Sequence, residues 1–254
     1  MSKFIALMYH SLGEPPKGHY SIRFSEFKAQ LDWLRGEGFV IDGFRELERR
    51  LVRNEFPERY VVMTFDDGHK SDLRAAEMLR QVDAQATFFL IKDYARNRRS
   101  FLSESEIKEL STLCSIGSHG LTHSSLVDVS VDQAIWELAE SKKWLEDLLG
   151  TVIDKFSAPG GHLSSVIVRR AFELGYCLLG NSTEWYNRSK QVKAKKLVNR
   201  IPVRSSFRMP LFAKVVRSAT PFLLGRQLRS KLLYIPKKLL TQAQIERLRG
   251  ITFN

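Results

Sequence analysis

The feature that most constrains this chain is a rhythm. Short runs of β-branched and aromatic residues alternate with longer amphipathic runs from the first residues to about residue 203. Short apolar runs of this kind read as buried strands, and strands alternating with helices are the signature of a mainly parallel sheet. Strands are expected over 4–9, 60–65, 86–91, 114–118, 155–158, 176–180 and 199–203, with helices between them. One helix is expected over 25–34, where Phe27, Leu31 and Leu34 recur at helical spacing and Gly36 and Gly38 stop the run. Ser103 with Glu106, and Ser130 with Gln133, each read as a capping box that opens a helix.

This order of elements suits either an open doubly wound sheet or a closed barrel. The polar residues decide between them, because His10, Asp66 with Asp67, His119, Pro159 with Gly160, and Asn181 each follow a different strand candidate. In a βα barrel those strand ends converge on one mouth, whereas an open sheet spreads them along an edge. The expected fold is therefore an α/β barrel of the TIM-like kind, distorted and incompletely closed. The barrel is expected over 1–205, and a basic amphipathic helical segment, packed on it or appended to it, over 206–254.

A chain of 254 residues with 43% hydrophobic content buries a full core as one domain. Two cysteines, Cys114 and Cys177, both in apolar stretches, define no disulfide framework and read as small core residues. The N-terminal run is too short for a secretory leader and no window is long and apolar enough to span a bilayer, so the expected location is cytoplasmic. The net charge of +12 is uneven: from Arg188 onward 17 Lys and Arg face a single acid, Glu246, while the residues before Arg188 sum to −4. Such asymmetry points to an anionic partner or to a solvated basic face. Between Phe207 and Tyr234, Phe212, Val215, Val216, Phe222, Leu223, Leu224, Leu228, Leu232 and Leu233 interleave with six cations and no acid. That mixture fits peripheral attachment to an anionic membrane surface at the inner face, or helices that pack on the barrel and leave their cations in water. A nucleic-acid role rests on this quarter alone and is not expected.

Thr64-Phe65-Asp66-Asp67-Gly68 follows the apolar Val61, Val62 and Met63. Two adjacent carboxylates at a strand end repel each other and lose hydration, so a buried pair needs a cation or a shared proton. The plain alternative is a surface turn before a helix over 71–81. Ser118-His119-Gly120-Leu121-Thr122-His123 follows another apolar stretch, and two histidines at i and i+4 share one side of a helical turn, within reach of one metal ion. Either histidine alone reads as structural. Together with the double aspartate they offer a two-histidine, one-carboxylate set that activates water and polarises a carbonyl, with a spare carboxylate to take the proton.

These motifs, with Ala158-Pro159-Gly160 and the tryptophan motif from Asn181 to Trp185, resemble the polysaccharide deacetylase or NodB-homology family, carbohydrate esterase family 4. The Tyr9-His10 pair makes the resemblance closest to the poly-N-acetylglucosamine deacetylase type. The resemblance implies a distorted (β/α)7 barrel that hydrolyses acetyl groups on glycans with one divalent ion, zinc first, with cobalt, nickel or manganese also fitting. It implies Asp66 as base and Asp67, His119 and His123 as metal ligands, with an N-acetylated glycan, in polymer, oligomer or lipid-linked form, as substrate. Pro159, Gly160 and Trp185 fall at substrate-binding positions. By the resemblance, the Gly160 amide is expected to give its N–H to the developing oxyanion, a donor that needs no side chain, and Trp185 to wall the acetyl pocket, with a core tryptophan as the alternative.

The chain also departs from the family pattern. The third motif lacks its arginine, reading Ser157-Ala158-Pro159-Gly160, so that role is absent or supplied elsewhere. The C-terminal histidine motif is missing too, since the last histidine is His162. His10, at the end of the first strand, is expected as general acid in its place, with His162 as the alternative acid and a purely structural His10 as the other reading. A catalytically silent glycan- or membrane-binding barrel, and a hydrolase of another amide or ester, are the competing readings.

Overall fold

The computed structural model describes residues 2–217 and 224–225. Six parallel strands lie side by side in the order Lys3–Tyr9, Tyr60–Asp67, Thr87–Leu90, Ser115–Ser118, Lys155–Ser157 and Leu178–Asn181. The seventh barrel position is filled by a strand in two pieces. Leu197–Asn199 pairs with the sixth strand, Asn199 opposite Asn181, while Ile201–Pro202 pairs with the first, Ile201 opposite Leu7. Arg200 stands at the break. The sequence predicts one strand over 199–203 here; the chain instead spends its hydrogen bonds on one neighbour and then the other, which nearly closes a seven-stranded barrel. A short strand, Val40–Asp42, adds to the second barrel strand.

The helices are α1 (Phe24–Gly36), α2 (Phe44–Arg53), α3 (Ser71–Gln81), α4 (Lys92–Asn97), α5 (Glu104–Leu113), α6 (Val131–Leu149), α7 (Ser165–Glu173), α8 (Ser189–Lys195) and α9 (Met209–Val216). Ser103 caps α5 with the reciprocal Glu106 bond, while Ser130 caps α6 by accepting from the Gln133 amide. Both caps remove backbone donors that a helix start leaves unpaired.

Strand parity sorts the core. Ile5, Leu7, Tyr9, Val61, Met63, Phe65, Phe88 and Leu90 join α1, α3 and α5 residues in the outer layer. The alternate positions, Phe4, Ala6, Val62, Phe89, Leu178 and Val198, form an inner cluster that Phe44, Leu47 and Leu51 of α2 continue. Because side chains alternate along a strand, Thr64 and Asp66 share the inward parity of Val62.

Helix α9, within the basic segment, packs Phe212 against Trp33 of α1, with ring centroids 5.9 Å apart, and buries Val215 and Val216 in the outer layer. Arg208 and Arg217, at its two ends, pair with Glu26 of α1 and with Glu37, which caps the C-terminus of α1. Phe222, Leu223, Leu228, Leu232, Leu233, Arg226, Arg229 and Lys231 lie outside the described residues. Among those described, no helix is long and apolar enough to cross a membrane. Cys114 and Cys177 are both free thiols.

Candidate active site

The second strand ends in Asp66 and Asp67, which in regular β geometry would face opposite sides. Positive φ angles at Asp67 (81°) and Gly68 (78°) break the alternation and let both carboxylates address the mouth. Asp66 is 2% exposed. Its oxygens accept from Arg200 Nη1 at 2.7 Å and Nη2 at 2.9 Å, and Oδ2 also accepts from Ser157 Oγ at 3.0 Å. Arg200 is itself fully buried and further donates to Thr64 Oγ1 at 3.2 Å and to Ser157 Oγ at 2.6 Å. Burial pushes the Asp66 carboxyl upward, but the Arg200 charge outweighs it and holds the group well below the usual carboxylate range. Asp66 is therefore a charged, oriented acceptor of protons.

Room for this clamp comes from Gly180 on the sixth strand. A Cβ there would sit 2.7 Å from Arg200 Nε, so any other residue would displace the guanidinium. Arg200 thus places a guanidinium on Asp66 although the third motif carries no arginine. The sequence held a signal for it: a charged residue inside an apolar strand candidate needs a buried anion as partner.

His119 follows the fourth strand. Its Nδ1 donates to the Ser157 carbonyl at 2.8 Å, which fixes the tautomer and leaves Nε2 as a lone-pair donor. That Nε2 lies 3.4 Å from Asp67 Oδ1 and 3.8 Å from Asp66 Oδ2, and His123 Nε2 lies 3.5 Å from the same Asp67 oxygen. Donor atoms of Asp67, His119 and His123 all fall within 4.8 Å of one another. Burial lowers the His119 imidazole to about 4, keeping it neutral, and burial raises the Asp67 carboxyl. Asp67 Oδ1 is buried without a hydrogen-bond partner. A carboxylate oxygen with no hydrogen-bond partner, facing two imidazole nitrogens, fits a divalent cation, and this donor set suits zinc, cobalt, nickel or manganese.

The two histidines do not share a helical turn, contrary to the spacing argument. Residues 119–130 form a loop before α6, and Gly120 (φ 85°) and His123 (φ 68°) both sit in the left-handed region, which no helix continues through. The loop, not helical periodicity, brings the rings to 5.2 Å.

His10 follows the first strand, where Tyr9 stands opposite Phe65, so it lies beside the end that carries Asp66. Its ring stacks on Tyr20 at 4.7 Å, and its buried Nδ1 has no partner. Burial lowers its proton affinity, while Asp66 and Asp67 pull the other way. His162 is exposed beyond the Pro159–Gly161 turn. Pro159 is buried against the histidine loop, its ring 3.5 Å from where a Gly120 Cβ would stand, and Gly160 is exposed with φ 67°. Trp185 is half-buried on the outer layer and its ring lies 4.9 Å from Tyr186. Among the described residues no hydrogen bond or ring contact joins it to Asp66, Asp67, His119 or His123.

Residues 53–179, half of the chain, match the family model "Polysaccharide deacetylase". The polysaccharide deacetylase-like protein YxkH of Bacillus subtilis is 28% identical over 186 residues, covering 72% of this chain and 65% of its own length. The peptidoglycan-N-acetylglucosamine deacetylase of Bacillus cereus is 29% identical over 121 residues, covering 47% of this chain and 54% of that protein. The chain thus spans less than two thirds of either curated relative. Among solved structures, the Streptococcus pyogenes deacetylase PplD, in complex with acetate, superposes with a TM-score of 0.75 at 24% identity, covering 84% of this chain and 98% of that one. IcaB of Ammonifex degensii superposes with a TM-score of 0.73 at 26% identity, covering 86% and 97%. These likenesses carry the nearly closed (β/α)7 barrel.

Proposed function

The chain belongs to the polysaccharide deacetylase family, and from that premise we propose that it is a divalent-metal-dependent hydrolase removing the acetyl group from an N-acetylated sugar of a glycan. The observation that carries the reading is the pairing of an ionised, arginine-clamped Asp66 with the adjoining Asp67, His119 and His123 donor set. Those three residues would hold the ion, which when bound polarises the acetamide carbonyl and acidifies water. Asp66, held charged by Arg200, takes the proton of the attacking water as its oxygen bonds to the carbonyl carbon. The Gly160 N–H is the donor for the developing oxyanion, needing no side chain. As the C–N bond breaks, His10 gives a proton to the leaving nitrogen, and acetate and a free amino sugar separate. Trp185 is the wall of the acetyl pocket in this proposal, and Pro159 shapes its floor beside His119.

The test is acetate release from N-acetylglucosamine oligomers and from poly-N-acetylglucosamine, by protein stripped with a chelator and then reloaded with zinc or cobalt. Release that disappears on stripping and returns on reloading is expected. Metal binding with no release from any acetylated glycan would leave a glycan-binding barrel in its place. A cytoplasmic location, with the basic C-terminal quarter attaching to anionic lipid at the inner face, belongs to the same proposal. Sedimentation with anionic and neutral vesicles at low and high salt tests it, and equal, negligible binding to both removes the membrane.

A further inference from the structure

Glu137 of α6 is 0% exposed, and among the described residues it forms no ion pair. A buried carboxylate in that position is costly unless hydrogen bonds replace its lost water. All of its side-chain replacements come from one place, the loop between the two histidines. Its Oε2 accepts from the Leu121 amide at 2.7 Å and the Thr122 amide at 3.0 Å, and its Oε1 accepts from Thr122 Oγ1. Thr122 Oγ1 is itself 2.7 Å from Ser124 Oγ. One turn further along α6, Ser141 Oγ is joined at 2.7 Å to Ser118 Oγ, which accepts from the Gly120 amide at 3.2 Å. The helix therefore grips the loop backbone directly at residues 121 and 122, and through Ser118 at residue 120, the whole span between His119 and His123.

The loop needs such a grip. His119 is fixed by the Ser157 carbonyl, but among the described residues no hydrogen bond holds the His123 side chain, and its backbone is left-handed at φ 68°. Holding a residue with a Cβ in that region costs on the order of 1 kcal/mol or more, and a free five-residue turn would relax out of it. We propose that Glu137 is a positioning residue that sets the metal affinity of this site, by locking the 121–122 backbone so that His123 Nε2 meets Asp67 together with His119. The inference rests on the metal-site reading above and extends it to a residue that touches neither ion nor substrate.

Its test is a titration of the stripped 254-residue chain with Co2+ against a competing chelator, well below the thermal midpoint, with the cobalt d–d absorption recorded alongside. Outer residues of this kind change metal affinity by about 10–100-fold. Glu137→Ala is expected to weaken Co2+ binding within that range and to change the cobalt spectrum as His123 leaves. Glu137→Gln keeps an amide oxygen for the two N–H groups and should lose less, and Thr122→Val, which removes only the hydroxyl, less again. A residue that merely stabilised the fold would lower the thermal midpoint of the metal-free protein and leave affinity and spectrum alone. Wild-type affinity and spectrum in Glu137→Ala and Glu137→Gln overturn the inference. Should Glu137→Ala not fold, a severalfold loss in Glu137→Gln supports it, and wild-type affinity there overturns it. If the unaltered protein binds no Co2+, the metal-site reading itself has failed, which is a different result.

Discussion

The two ends of the barrel both bury charge, and they finish the job differently. At the N-terminal end, Lys155 opens the fifth strand with its side chain 4% exposed; its Nζ lies 2.7 Å from Glu48 and 2.8 Å from Asp154, and it donates to Cys177 Sγ at 3.0 Å. Glu48, Asp154 and Cys177 stand close enough to share one cation, and the lysine ammonium already is that cation. At the C-terminal end, Asp66 is equally well satisfied by Arg200, yet beside it Asp67 Oδ1 and His10 Nδ1 are buried with no hydrogen-bond partner among the described residues. Both clusters have metal-like donor spacing, so spacing alone does not tell a site from a strut. The difference lies in the orphan atoms: a closed set of partners stabilises the fold, and an open one leaves a place for a ligand.

The comparison breaks most clearly at Asp66. Asp66→Asn keeps the shape and removes the base, so turnover should fall by roughly 10^2–10^4-fold while bound metal, measured by elemental analysis, stays at one per chain. His10→Ala should lower turnover by about a hundredfold without releasing metal; unchanged turnover would send the search for the proton donor elsewhere. Arg200→Met should cost about 10–100-fold and move the acidic limb of the pH–rate profile upward. The sign follows from the cause, because the guanidinium is what holds Asp66 down against burial, and without it the carboxylate takes a proton at higher pH. Lys155→Met, at the opposite end, should lower the thermal midpoint and leave turnover unchanged. A loss of turnover there would dissolve the contrast between the two ends.

Much of this was legible beforehand. The apolar runs placed six barrel strands, because a buried strand such as Tyr60–Phe65, with Thr64 as its one polar break, reads as a near-continuous apolar run. The seventh was harder, since its two pieces serve different neighbours and only pairing reveals the split. TFDDG and SHGLTH pointed to Asp66, Asp67, His119 and His123 as chemistry but misled on geometry, because i,i+4 spacing implies a helix only where φ stays negative. Arg200 and Glu137 escaped for a common reason. Each acts across a long sequence separation, 134 residues to Asp66 and 15–16 to the histidine loop, and a single chain read in order shows no partner at that range.

The broken seventh strand ties assembly to competence. The residue at the break, Arg200, is the one that neutralises Asp66, so the last stave of the barrel to leave a ribosome is also the counter-ion of the proposed base. Until residues 197–202 have docked between the first and sixth strands, the Asp66–Asp67 pair faces the mouth without its guanidinium, and its mutual repulsion opposes compaction. Chains truncated before Leu197 would therefore lack more than one strand. They would carry an uncompensated pair of carboxylates at the end of an open sheet, and quality control in the cell would meet a species that is unfinished in shape and in charge at the same point.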